Sequence, residues 1–134
     1  KIPVSKDIRP KEGSIIIIIA TDAPLDGRQL ARLAKRSFFG LARTGGIARH
    51  GSGDFAFAFS TGNRIPHYPE NPIYKVSLLS DFWIDDFFEA VADATEEAVL
   101  NSLLMAKATT GRDVKWVPEL PHDKLKELLD QFKK

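Results

Sequence analysis

The sequence predicts an α+β fold in which this chain supplies only part of the sheets and helices. Strand-like and helix-like segments alternate along its 134 residues, and the stretch Gly13 to Ala20 contains five consecutive isoleucines. So apolar and β-branched a run is typical of a fully buried central strand. The few strands predicted here cannot cover it on both faces, so we expect another polypeptide segment to complete the sheet.

The composition favours a soluble globular domain and gives no sign of a nucleic-acid-binding, membrane or thiolate-dependent protein. Apolar residues make up 43% and charged residues 28% of the chain, as in a single soluble globular domain. The net charge of +1 gives no reason to expect nucleic acid or a membrane as a partner. The absence of cysteine excludes disulfides and thiolate chemistry, and it fits a cytoplasmic location. Because the sequence starts at Lys1 without an initiator methionine, we expect it to be a piece of a longer protein.

The first elements follow from their local patterns. Residues 1–13 carry two prolines and no sustained periodicity, which predicts a surface tail. Thr21 to Leu25 predicts a turn, and Asp26 can cap the next helix, whose apolar residues recur every three or four positions. The basic residues of that helix favour a solvated face over an anion-binding patch; they are Arg28, Arg32, Lys35 and Arg36.

A glycine-rich loop precedes the second strand. Four of the eleven residues from Thr44 to Asp54 are glycine, which predicts tight turns or a close approach to the backbone. The loop lacks the Gly-Lys-Ser/Thr ending of a phosphate cradle. In the predicted strand Asp54 to Thr61, phenylalanines alternate with small residues. We therefore expect one face to pack on helices and the other to meet a second close neighbour.

The second half of the chain is mainly helical. Ser80 or Asp81 can cap a long helix that runs to about Lys107, and its second half is apolar on nearly every side, which predicts burial between neighbours. Shorter segments surround this helix: a loop over 62–72, a short strand or extended link over 114–117, a turn over 118–121 and an amphipathic helix over 123–132.

Three side chains could form a hydrolytic site. Ser14 opens the isoleucine strand, while Ser52 and Asp54 stand two positions apart, so strand alternation would point them the same way. A serine needs a base to become a nucleophile. His50 could act as that base, although a lone loop histidine is more often solvated. If the Gly13–Ser14 bond were cut, the new α-amine would be a second candidate, with a reference pKa of about 7.7–8.0.

The residues alone leave simpler interpretations open. Ser14 could merely begin a strand, and Ser52 and Asp54 could be turn residues that bond local backbone. The histidines His67 and His122 stand apart in the sequence, which predicts no metal cluster. No cofactor is predicted.

Several motifs together resemble the DmpA-type aminopeptidases, a family that includes L-aminopeptidase/D-esterases and β-peptidyl aminopeptidases. The resemblance runs in register from about Gly13 to Met105. It is carried by Gly-Ser before the apolar strand and by five further segments: ATDAPL at 20–25, GLARTG at 40–45, GSGD at 51–54, ATEEA at 94–98 and NSLL at 101–104.

This resemblance implies a precursor that cuts itself before a serine. The self-cleavage site would be Gly13–Ser14, with residues 1–13 as the tail of the α part and residues 14–134 as the β chain, the C-terminal half of one domain. The implied fold is a four-layer αββα sandwich. Ser14 would be the nucleophile, Ser52 the second serine that hydrogen-bonds it, and Asp54 the acidic partner, which is often glutamate in the family. The implied oxyanion donors and the acid that recognises the substrate's amino group would lie on the α chain.

The implied function is a self-processing N-terminal-serine aminopeptidase that acts on short peptides, amino-acid amides or esters. Its implied partners are the α chain of the same precursor and further αβ units, assembled as a homo-oligomer, a tetramer. Two alternatives remain. An acyltransferase of the ornithine-acetyltransferase kind shares the sandwich but uses threonine as its nucleophile, and a non-catalytic structural subunit could keep the same fold.

Overall fold

The computed structural model describes residues 13–133, so residues 1–12 of the tail predicted for residues 1–13 lie outside the described residues. The elements, in chain order, are β1 (Ile16–Thr21), α1 (Gly27–Arg43), β2 (Phe55–Ser60), α2 (Asp85–Met105), β3 (Thr109–Thr110), β4 (Trp116–Val117) and α3 (His122–Phe132). Short 3-10 turns cover Asp81–Trp83 and Arg112–Val114. This mixture of helices and strands confirms the α+β prediction.

The two longer strands lie side by side and parallel. Ile16 of β1 is opposite Phe55 of β2, and Thr21 at the end of β1 is opposite Ser60. Helix α1 makes the crossover between them, as a parallel pair requires. Both strands therefore start at the same edge of the sheet, and the residues that precede each strand are brought together. The two-residue strands β3 and β4 form a separate antiparallel pair that the sequence patterns did not predict as a pair.

The two faces of the β1–β2 sheet differ sharply. On one face Ile17 is buried, and Ile19 packs with Ala58 against the main core beneath the helices. On the other face the large side chains are 49–67% exposed; they are Ile16, Ile18, Phe55, Phe57 and Phe59. Within residues 13–133 only one face of β1 is covered, so full burial of this strand still requires the further polypeptide segment expected from the sequence.

Helices α1 and α2 form the layer over the covered face. Asp26 caps α1 as predicted: its carboxylate accepts the backbone N–H of Gln29, whose side chain in turn accepts the Asp26 N–H. The core consists of Leu25, Leu33, Ile84 and Val91. Gly40 lies where the two helices come closest, since a Cβ built on it would clash with the carbonyl oxygen of Ala92.

The predicted start of the long helix needs correction. The Ser80 hydroxyl caps the 3-10 turn rather than α2, which begins at Asp85 without a side-chain cap. Its second half was expected to be buried, but Leu100, Leu103 and Met105 are 44%, 51% and 76% exposed in the described part of the chain. The short final helix matches its prediction to within one residue. Within residues 13–133, none of the helices is both long and apolar enough to cross a membrane.

Candidate active site

The parallel register assembles the three predicted site residues at the starting edge of the sheet. The N–H of Phe55 donates to the carbonyl of Ile15 at 2.9 Å, which fixes the start of β2 against the start of β1. Ser14 immediately precedes this point on one strand, and Ser52 and Asp54 precede it on the other. Residues that are 39 positions apart in the chain thereby come within hydrogen-bonding distance.

Three hydrogen bonds join the two segments, and a fourth, between Ser52 and Asp54, lies within the loop. The Ser52 Oγ lies 2.7 Å from the carbonyl oxygen of Gly13 and 2.5 Å from Asp54 Oδ1. The backbone N–H of Ile15 donates to Asp54 Oδ1 at 3.1 Å, and the backbone N–H of Gly53 donates to Ser14 Oγ at 3.0 Å. The carboxylate thus holds both the second serine and the backbone next to Ser14.

The Ser52 hydroxyl has one proton and two acceptors. It can donate either to Asp54 or to the Gly13 carbonyl, but not fully to both at once. A hydrogen bond to that carbonyl draws electron density from its carbon, which makes the Gly13–Ser14 peptide bond a better target for a nucleophile. The hydrogen bond to Ser14 Oγ comes instead from the Gly53 N–H, a donor that the sequence patterns did not reveal.

The glycine-rich loop forms the wall of a cavity beside Ser14. This cavity, of about 380 Å³, is lined by both the segment 13–15 and the loop, including Ser52 and Asp54. Two loop residues have positive φ, Gly45 at 95° and Ala48 at 44°. Glycine adopts such angles easily and alanine does not, so the conformation at Ala48 is held by its surroundings. Ser14 itself is exposed, while Ser52 and Asp54 are half-buried.

The structure does not support His50 as the base that would activate Ser14. This histidine is exposed, it does not line the cavity, and no hydrogen bond among the described residues joins it to Ser14 or Asp54. Within residues 13–133, no group of three or more histidine, cysteine, aspartate or glutamate residues is placed to hold a metal ion.

Three of the four basic residues predicted on the face of α1 contact residues on or just before α2. Arg28 and Arg32 both pair with Asp81, at 2.8 and 3.4 Å. Hydrogen bonds from Arg28 and Gln29 lower the pKa of Asp81 to about 2, and the same partnership raises the pKa of Arg28. The Arg36 guanidinium lies over the ring of Phe88, 4.2 Å from its centre. These contacts connect α1 to the start of α2, which is a structural role.

A second cavity of about 630 Å³ is larger and chemically different. It is an apolar groove between the unpaired edge of β1 and helix α2, lined by the isoleucines and by Phe87, Val91 and Val99 among others. It borders the exposed second half of α2. The groove holds none of the predicted site residues and marks where the sheet stops within this chain.

Comparison with known proteins adds the family. The sequence model of peptidase family S58 matches residues 2–117 of this chain. The β-peptidyl aminopeptidase BapA of Sphingosinicella microcystinivorans is 38% identical over 127 residues, 95% of this chain and 32% of that protein. The chain spans about a third of the length of the curated relatives it matches.

Two solved structures are similar to this chain in fold as well as in sequence. A protein of Pyrococcus horikoshii OT3 is 52% identical, with a TM-score of 0.83 over 93% of this chain and 35% of that one. The L-aminopeptidase D-Ala-esterase/amidase of Ochrobactrum anthropi, described as a variant of the Ntn hydrolase fold, is 35% identical, with a TM-score of 0.83 over 96% of this chain and 36% of its own. The chain therefore shares part of an aminopeptidase fold of the Ntn hydrolase type.

Proposed function

Because this chain belongs to peptidase family S58, we propose that the complete protein is a self-processing aminopeptidase whose nucleophile is Ser14. It cuts its own Gly13–Ser14 bond and then removes N-terminal residues from short peptides, amino-acid amides or esters through an acyl-enzyme. The observation that carries the proposal is that Ser52, which also contacts Asp54, lies against the carbonyl oxygen of Gly13, while the next residue, Gly53, donates its N–H to Ser14 Oγ.

Self-cleavage begins with attack of Ser14 Oγ on the carbonyl carbon of Gly13. The Ser52 hydroxyl lies 2.7 Å from the carbonyl oxygen, and in this scheme it donates to that oxygen and stabilises the negative charge that develops there. The peptide C–N bond breaks, the Ser14 nitrogen takes up the proton that Oγ releases, and Gly13 is left as an ester on Ser14 Oγ. Water hydrolyses that ester. The products are a Gly13 carboxylate and a β chain with a free Ser14 amine.

Hydrolysis of substrates by the processed enzyme uses the same Ser14 Oγ, but the base is now the free α-amine of Ser14. The freed α-amine of Ser14, with a reference pKa of about 7.7–8.0, accepts the hydroxyl proton as Oγ attacks the substrate carbonyl. The proton then passes to the leaving amine, and water releases the acyl group. Asp54 is a positioning residue in this scheme, because its contacts are with the Ile15 N–H and the Ser52 hydroxyl.

The rest of the enzyme would come from outside this chain. The open face of the β1–β2 sheet carries three phenylalanines and two isoleucines, each about half exposed or more, which is a costly surface to leave in water. We assign this face to a second sheet supplied by the α chain of the same precursor, giving a four-layer αββα sandwich. Remaining oxyanion donors and the acid for the substrate's amino group would also lie there, and αβ units would assemble into a tetramer.

Intact-mass measurement of the complete protein tests the proposal. Wild type should separate into two chains, the shorter one beginning at Ser14, and should release amino acids from aminoacyl amides. Ser14→Ala should remain a single chain without activity. A Ser14→Ala protein that still splits at this bond, or still releases amino acids, would refute the assignment of the nucleophile.

A further inference from the structure

The cavity beside Ser14 contains two charged residues of opposite sign, Arg49 and Asp54. Asp54 already has two partners: its Oδ1 accepts the Ile15 N–H and lies 2.5 Å from Ser52 Oγ. Arg49 forms no ion pair within the described range 13–133. An exposed guanidinium without a carboxylate partner, next to a nucleophile, can bind an anionic group of a substrate.

A hydrogen-bonded turn holds the backbone of Arg49 close to Ser52. The N–H of Ser52 donates to the Arg49 carbonyl at 2.8 Å, which closes the segment 49–52 into a turn. The residue before it, Ala48, is held at a φ of 44°. Arg49 is thus attached by a turn to Ser52, the residue whose hydroxyl contacts the carbonyl oxygen of Gly13.

We propose that Arg49 binds the C-terminal carboxylate of a short peptide substrate, so that the enzyme prefers dipeptides with a free carboxylate over the corresponding amides. This inference rests on the proposed function, because it places the substrate's scissile carbonyl where the Gly13 carbonyl now lies. The leaving residue of a dipeptide carries its carboxylate one residue beyond that bond, and consecutive Cα atoms are about 3.8 Å apart. That spacing is short enough for the carboxylate to remain within the cavity that Arg49 lines.

The chemistry favours an arginine in this position. Its planar guanidinium can donate two parallel N–H bonds to one carboxylate, whereas a carboxamide offers one neutral oxygen and has no charge. A lysine would supply the charge without the forked geometry. The preference should therefore be largest with arginine, smaller with lysine, and absent with an uncharged residue.

The test compares a dipeptide with its own C-terminal amide, using the complete, processed protein. For wild type, kcat/KM should be about tenfold higher for the dipeptide. In Arg49→Gln the dipeptide value should fall about tenfold while the amide value stays within twofold, and Arg49→Lys should fall in between. Arg64→Gln removes the same charge from an exposed residue outside the cavity and should change neither value by more than twofold.

Binding gives a second measurement that does not depend on turnover. The free amino acid released from the dipeptide should inhibit wild type more strongly than its amide does, and this difference should disappear in Arg49→Gln. The yield of β chain starting at Ser14 shows whether each variant has folded.

Three results would overturn the inference: equal losses on both peptides, no loss on either, or an unchanged inhibition difference. None of these results would contradict the role of Ser14 as the nucleophile. A Ser14→Ala protein that still cleaved itself or still released amino acids would instead refute the proposed function.

Discussion

The hydroxyl oxygen of Ser52 lies 2.7 Å from the carbonyl oxygen of Gly13, although 39 positions separate the two residues in the chain. When the Ser52 proton points to this oxygen rather than to Asp54, a hydrogen-bond donor lies on the carbonyl that the proposed self-cleavage would attack. A donor of this kind lowers the barrier only to the extent that it binds the developing oxyanion more strongly than the resting carbonyl.

Removal of that donor should slow self-cleavage. We expect Ser52→Ala to lower the rate by about 100-fold, the usual cost of losing one oxyanion donor, and Ser52→Thr to restore part of it. The rate is measured as loss of the intact precursor mass with time. Ser102→Ala is the matched control, since among residues 13–133 the Ser102 hydroxyl bonds only the Val99 carbonyl of its own helix. Equal rates for Ser52→Ala and the control would exclude this role.

We expect the negative charge of Asp54, as well as its shape, to position Ser52 and the backbone at Ile15 for the reaction. Asp54→Asn keeps the size of the side chain but accepts hydrogen bonds from Ser52 and Ile15 less strongly. We expect kcat on aminoacyl amides to fall about tenfold, equivalent to about 1.4 kcal/mol. Steady-state kinetics on the processed protein measures this effect. Wild-type kcat in the Asp54→Asn protein would show that the carboxylate charge has no part in the reaction.

Close packing of the two long helices depends on Gly40. In Gly40→Ala the new methyl group would clash with the Ala92 carbonyl oxygen and lie 2.8 Å from Thr95 Cβ. Because neither neighbour is the flexible end of a side chain, we expect a loss of about 1–3 kcal/mol in the free energy of unfolding. Denaturant unfolding of the complete protein measures it.

Gly27→Ala is the control for that experiment. Gly27 begins the same helix, and a Cβ there meets nothing within 4 Å. This variant should be as stable as wild type or slightly more stable, because alanine loses less backbone entropy on folding. If Gly40→Ala were equally stable, the helices would have to be farther apart than described.

The pairing of Asp81 with Arg28 predicts a pH dependence of stability. Hydrogen bonds from Arg28 and Gln29 hold the pKa of Asp81 at about 2, below its ordinary value of 3.8. A carboxylate with a lowered pKa stabilises the folded state above its ordinary pKa, and that contribution is lost as the pH falls from about 4 towards 2. Asp81→Asn should therefore lose stability at pH 6 and show a smaller further loss between pH 4 and 2. Urea unfolding over this range tests it, and identical pH slopes for both proteins would contradict the prediction.

The open sheet face should be covered in the complete protein. Phe57, at the centre of β2, is 59% exposed within this chain. If a second sheet packs on it, Phe57→Asp buries a charge without a partner and should prevent folding and self-cleavage. Phe132→Asp, at the end of α3 where the side chain is 86% exposed, is the comparison. Size-exclusion chromatography and intact mass give the readout, and a Phe57→Asp protein that folds and splits as well as Phe132→Asp would rule out the second sheet.

Local patterns predicted most of the elements because their causes are local. The Asp26 cap needs only residues three positions away, and the Phe/Ala alternation of β2 follows from the two-residue period of a strand. The start of α2 was misplaced because Asp81, a plausible cap, instead pairs with Arg28 and Gln29 about fifty positions earlier. No short-range signal distinguishes these two uses of an aspartate.

Most of the elements, the apolar character of the strand after Ser14 and the family resemblance can be predicted from local patterns and motifs. The parallel pairing of β1 and β2, with Ile16 opposite Phe55, is visible only in three dimensions, and it brings Gly13 and Ser14 to Ser52, Gly53 and Asp54. The tertiary structure also shows that one face of β1 stays open and that Gly53 donates to Ser14. The reason is physical: strand register and helix packing join residues about forty positions apart, and a one-residue shift in register would turn each side chain to the opposite face.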